Sequence, residues 1–126
     1  MKYIKNLVFG CSGTIGIEIS KRLNKNNTLL LSRSKPKDLK ISNWKKIDLS
    51  KEIKILPKKV NKIFFLSSPY YIKKNFNKKI FYNEYIWLKK ILNNIQVNYF
   101  IYFSSSSVYL KNHPLGKIKL KCEKLL

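Results

Sequence analysis

The sequence predicts an α/β fold: a doubly wound parallel sheet of about five strands, in the order 3-2-1-4-5, with helices on both faces. Short apolar runs alternate with segments of helical periodicity, as parallel strands joined by right-handed crossovers require. The first run ends in Gly10-Cys11-Ser12-Gly13-Thr14-Ile15-Gly16, where a strand should turn directly into a helix. At 126 residues, 44% of them hydrophobic, the chain fits one domain with a real core, residues 1–126.

The elements follow in order. Tyr3–Phe9 carries Ile4, Leu7, Val8 and Phe9 and reads as strand one. Thr14–Asn24 places Ile15, Ile19 and Leu23 at helical spacing, and Asn26-Asn27 ends the helix. Thr28–Leu31 is a short buried strand, Trp44–Ile47 a third and Ile63–Leu66 a fourth. From Asn77 to Ile95 a long helix sets Phe81, Tyr85, Leu88, Leu92 and Ile95 on one face. Asn98–Phe103 is the fifth strand, dense in aromatics and followed by four serines. Pro114 opens a last helix lined by Leu115, Ile118, Cys122 and Leu125.

Composition excludes several functions. Two cysteines and one histidine give no disulfide framework and no metal cluster, so no metal is expected. No apolar run approaches the ~20 residues of a membrane span. The residues before Cys11 look like a lipoprotein signal, but their apolar core, Leu7-Val8-Phe9, is too short for one. A cytoplasmic protein without a membrane partner is therefore expected. The formal charge is +21, from 27 Lys+Arg against 6 Asp+Glu. Only Arg22 and Arg33 are arginines, and lysines are scattered over every element. Phosphate contacts selected for nucleic acid usually include arginine, so the excess reads as codon bias, with no specific nucleic-acid partner.

In open α/β sheets ligands bind beyond the carboxyl ends of the strands. There the glycine loop offers a tight turn at Gly10, backbone approach at Gly13 and close helix packing at Gly16. The helix amino terminus adds N–H donors and a partial positive charge for phosphates. Ser12, Thr14 and Ile15 share this cofactor-binding loop, although a ligand-free βα turn would use the same glycines. At the end of strand two, Ser32-Arg33-Ser34 stands where an acidic residue would select NAD. Arginine with flanking hydroxyls suits a 2′-phosphate, so NADP is favoured over NAD, while a solvated cation is the plainer alternative.

With these residues in place, the chain resembles the extended short-chain dehydrogenase/reductase superfamily, the NAD(P)-dependent sugar epimerases and dehydratases, whose cofactor domain is Rossmann-like. The loop matches that branch's GxxGxxG, and Asp48-Leu49 its adenine-contacting pair. Leu66-Ser67-Ser68 matches its turn beside the cofactor, and Asn83 its asparagine early in the long helix. Tyr102–Tyr109 resembles its serine-rich motif after strand five, and Gly116–Leu126 the helix of its catalytic lysine. The resemblance implies catalytic roles for Ser105, Lys119 and Asn83, and cofactor contacts from Asp48, Leu49, Leu66, Ser67 and Lys119.

Two features depart from the family. The catalytic tyrosine should stand four residues before the lysine, yet Leu115 is there and cannot exchange a proton. Tyr70/Lys74 and Tyr85/Lys89 keep the spacing on other elements, as chance allows among 8 tyrosines in a lysine-rich chain. The branch also continues into a domain that binds the nucleotide sugar, so the chain is expected to hold the cofactor half alone. Strand five would then need cover from a second copy or a partner subunit. The expected function is a nucleotide-sugar epimerase/dehydratase-like protein of weak or no activity. The alternatives are a non-catalytic dinucleotide-binding sensor or subunit and, least favoured, a basic nucleic-acid-binding protein.

Overall fold

In the computed structural model, residues 3–36, 43–51, 53, 56–67, 78–104, 109 and 114–126 are described, with backbone alone at 78–80 and 115. Five parallel strands form one sheet in the order β3-β2-β1-β4-β5. They are β1 Asn6–Phe9, β2 Thr28–Ser32, β3 Trp44–Lys46, β4 Lys59–Phe65 and β5 Gln96–Tyr102. The helices are α1 Thr14–Arg22, α2 Lys78–Asn94 and α3 Pro114–Leu125. The predicted strand order and two-sided winding are those observed.

Side chains alternate across the sheet with the two-residue period of a strand. Leu7, Phe9, Leu29 and Leu31 face the larger core, where Leu88 and Ile91 of α2, Ile95 just after it and Cys122 of α3 pack. Val8 and Leu30 face the other side with Cys11, against Leu23 at the carboxyl end of α1. Every residue of β2 is buried, which is why Thr28–Leu31, with Leu29-Leu30-Leu31 in succession, reads as a short buried strand.

β4 starts four residues earlier than its sequence signal at Ile63. Val60 and Ile63 point into the core while Lys59 and Lys62 remain exposed, so lysines interrupt the apolar pattern without interrupting the strand. α2 also differs in detail. Its buried line is Phe81, Glu84, Leu88 and Ile91, continued by Ile95 just beyond its end, with Tyr85 and Leu92 half-buried beside it. A carboxylate therefore occupies a core position.

β1 pairs with β2 on one side and β4 on the other, Phe9 lying level with Leu31 and Phe65. The chain winds outward in opposite directions from this pair, which makes the carboxyl ends of β1 and β4 the switch point. Such a point leaves a crevice between the loops that diverge from it.

Candidate functional site

The glycine loop leaves β1 at this switch point. Gly10 has φ +85°, a left-handed conformation that side chains rarely adopt, and a Cβ there would lie 2.7 Å from the Leu66 carbonyl carbon. Gly16, on the first turn of α1, is packed still closer: its Cβ would come within 2.2 Å of the Gly10 carbonyl oxygen. Gly13 is different. It has extended backbone at the N-cap of α1, and a Cβ there would meet only the Gly10 carbonyl oxygen, at 3.8 Å. No side chain caps the helix at Gly13, so the first-turn N–H groups face outward without that partner.

Those N–H groups border a cavity of about 350 Å³. One end is formed by Gly10, Gly13, Thr14, Ile15 and Gly16, and the middle by Phe65 and Leu66 after β4. The far end is formed by Glu84, Phe103 and Lys119. Five segments distant in sequence, namely the glycine loop with α1, the ends of β4 and β5, α2 and α3, thus meet where the topology places a crevice.

Lys119 is buried at that far end. Its Nζ donates to Glu84 Oε1 at 2.6 Å and to the Phe103 carbonyl at 3.2 Å, and lies 5.1 Å from the centre of the Tyr102 ring. The Glu84 side chain is 2% exposed and that of Lys119 9%, so this ion pair is shielded from solvent. It is held by the packing of α2 on α3 over β5.

The other expected site residues lie around this cavity without lining it. Ser12 is exposed. The Ser32 hydroxyl accepts from Trp44 Nε1 at 2.9 Å, donates to the Ser34 carbonyl at 2.6 Å, and stands 3.3 Å from Cys11 Sγ. Burial pushes the Cys11 thiol up, an effect only tempered by Ser32. Arg33 is exposed beyond β2. Asp48 accepts from the Ser50 hydroxyl at 2.6 Å and from its backbone N–H at 3.0 Å, and the hydroxyl bond is the largest cause holding its carboxyl below the usual range. Leu49 is in the core, with its carbonyl accepting from Lys90 Nζ at 2.9 Å. Ser67 is half-buried behind Gly10, and Asn83 is exposed on α2. Helix rotation explains the last: at about 100° per residue, α2 turns Glu84 toward α3 and Asn83 away. Ser105, Ser68, Val108 and Tyr70/Lys74 lie outside the described residues, as does the side chain of Leu115.

Glu84 is the residue that the sequence reading missed. The signal was present, because Glu84 stands three residues after Phe81 and four before Leu88, on the apolar face. One of only 6 acidic residues in that position calls for a buried partner.

Fold and cavity together define a doubly wound, Rossmann-type α/β domain with a glycine loop at its switch point. Among solved structures, the chain is similar to a short chain dehydrogenase family protein from Francisella tularensis subsp. tularensis SCHU S4, with a TM-score of 0.59 and 19% identity. The match covers 98% of this chain and 60% of that one, so the chain spans less than two thirds of its neighbour's length. At this identity the likeness is one of fold. No family model and no curated protein matches the sequence. Among the described residues, no helix is long and apolar enough to cross a membrane.

Proposed function

We propose that the chain binds a nicotinamide dinucleotide along this cavity, with the pyrophosphate against the first turn of α1. Gly13 carries the reading. The fold itself requires Gly10 and Gly16, whose Cβ atoms would strike backbone, but nothing among the described residues excludes a side chain at Gly13. A ligand approaching the backbone there does exclude one. The uncapped helix terminus and the apolar middle of the cavity fit the same group, since phosphates need N–H donors and an aromatic ring needs a greasy wall. Arg33 beyond β2 supports NADP over NAD.

The finer reading is a nucleotide-sugar epimerase/dehydratase-like protein. A bound nicotinamide supplies hydride exchange with a substrate carbon. Of the chain's own residues, Lys119 presents an ammonium to the cavity, and Ser105 is the family's substrate-binding serine by resemblance. Leu115 supplies no proton-exchanging group at the tyrosine position. The second reading, a dinucleotide-binding sensor or subunit without turnover, is favoured by that leucine and by the engagement of Lys119 with Glu84. Fluorescence titration with NADPH and NADH tests the binding on which both readings depend. Binding of either below millimolar concentration is expected, and binding of neither overturns the proposal.

A further inference from the structure

Lysine supplies most of the charge of this chain, so a surface without it is more informative than a surface that carries it. Residues 91–110 contain no Lys, Arg, Asp or Glu, although 26% of the chain is charged, and no other uncharged run in the sequence is as long. The run contains β5, one of the two edge strands of the described sheet. The other edge, β3, is three residues long and carries Lys45 and Lys46, both exposed. A short, charged edge resists pairing with another strand. β5 has the opposite character: seven residues, aromatic and uncharged, with Gln96, Asn98 and Tyr99 exposed. Among the described residues it pairs only with β4, and alternate N–H and C=O groups of a strand point away from its one neighbour.

Charge and symmetry select what covers this edge. At +21, two copies of the chain repel wherever their lysines meet, and an acidic partner is drawn to the lysine-bearing surfaces and not to this strip. A two-fold axis sets the edge against itself antiparallel, so that an uncharged strip meets an uncharged strip and outward N–H groups meet outward C=O groups. Lys59 and Lys62 are exposed one strand away on β4, level with Gln96 and Tyr99. In such a pairing Lys62 stays at least three strand spacings from its counterpart in the second copy, about 14 Å. The Debye length at physiological ionic strength is about 8 Å, so that repulsion is largely screened. We propose that a second copy of this chain docks along β5, antiparallel about a two-fold axis near the middle of the strand, and joins the two five-stranded sheets into one. The contact uses the β5 edge and not the cavity, so it stands apart from the dinucleotide reading.

Light scattering over a concentration series reads the mass. It should rise from the 15.0 kDa of one chain toward twice that value, with a dissociation constant in the micromolar range, as a small interface gives. Raising salt from low to physiological should tighten the dimer, because screening relieves the repulsion between copies. Tyr99→Lys should weaken it at least about tenfold by setting like charges close together across the seam. Cross-linking reads the location. With diamide as oxidant, Tyr99→Cys or Ile101→Cys should give a disulfide-linked dimer, since opposed residues of antiparallel strands lie about 4.5–5.5 Å apart at Cα, within disulfide reach. Cys11 and Cys122 are buried, so wild type should stay uncrosslinked, as should Lys45→Cys on the β3 edge. If Tyr99→Lys does not fold, the cysteine variants carry the test. A monomer at every concentration overturns the proposal. A dimer that Tyr99→Lys leaves intact, that loosens as salt rises, or that cross-links at neither β5 position also overturns it.

Discussion

Replacing Gly13 and Gly16 separately by alanine distinguishes what the fold needs from what a ligand needs. At Gly16 the new methyl would lie 2.2 Å from the Gly10 carbonyl oxygen and 2.9 Å from Cys11 Cα, both backbone atoms that cannot swing aside. α1 must move off the loop, at the upper end of overpacking costs, about 3 kcal/mol. The helix propensity of alanine returns about 1 kcal/mol. The net loss of about 2 kcal/mol lowers Tm by roughly 8 °C for a domain of this size. At Gly13 the backbone is extended and the methyl meets an ordinary 3.8 Å contact. Alanine caps a helix less well than glycine, by up to about 1 kcal/mol. Its lower unfolded-state entropy offsets about 0.4–1 kcal/mol of this. Gly13→Ala should therefore melt within ~2 °C of wild type. Its dinucleotide affinity should nonetheless fall at least ~30-fold, as the methyl blocks approach to charge-assisted backbone donors. Circular dichroism melts and fluorescence titrations read the two quantities on the same samples. A Gly13→Ala protein that binds as wild type does, or that melts as low as Gly16→Ala, would refute the division of labour among the glycines.

Three further outcomes are expected. In chemical denaturation, Glu84→Gln should lose about 3–5 kcal/mol by stranding a buried ammonium, whereas the double variant Glu84→Gln/Lys119→Met should recover most of it. Additive losses would show that the two side chains are not coupled. Burial also raises the Cys122 thiol, against the smaller opposing effect of a hydrogen bond with Tyr102. Since Cys11 and Cys122 both have folded values above their unfolded ones, their contribution to stability is complete below the unfolded thiol range. It is lost as pH climbs through the folded values, so Tm should decline above about pH 8.5 and Cys11→Ala should lessen the slope. An unchanged slope would remove Cys11 from the account. Finally, among the described residues β5 pairs only with β4, and Tyr99 on it is 62% exposed. Concentration-dependent association through this edge is expected by light scattering, weakened by Tyr99→Lys; a monomer at all concentrations argues against it.

The strand order was legible because β1 and β2 are buried almost throughout and β4 ends in the apolar Ile63-Phe64-Phe65, leaving apolar runs that polar segments punctuate. The start of β4 was not, since Lys59 and Lys62 stand on exposed positions of the strand and imitate a turn. In the site, the glycines announced themselves by spacing, and the structure separates their duties by the room around each Cβ. Asn83 and Glu84 show the opposite case. A match by sequence position drew attention to Asn83, which faces solvent, while the neighbouring carboxylate held the buried position. Only the rotation of α2 against α3 distinguishes them, and that rotation is set by Leu88 and Ile91 packing into the core beneath it.

The charge excess bears on this last point. Lysines, which dominate the net charge of +21, are exposed on nearly every element, and an exposed lysine in such a chain carries little information. Among the described residues Lys119 is the exception, because removing an ammonium from water is costly unless an opposite charge meets it. With 6 acidic residues against 27 cations, the chain places one of them on an otherwise apolar helix face, where it meets this lysine. Codon bias explains abundant lysines on a surface; it does not explain a carboxylate kept at the one position that neutralises a buried one. The pair costs desolvation that two apolar residues would avoid, so stability alone is a poor reason for it. Its place in the wall of the cavity at the switch point, rather than deep in the core, is what sets it apart from a purely structural ion pair.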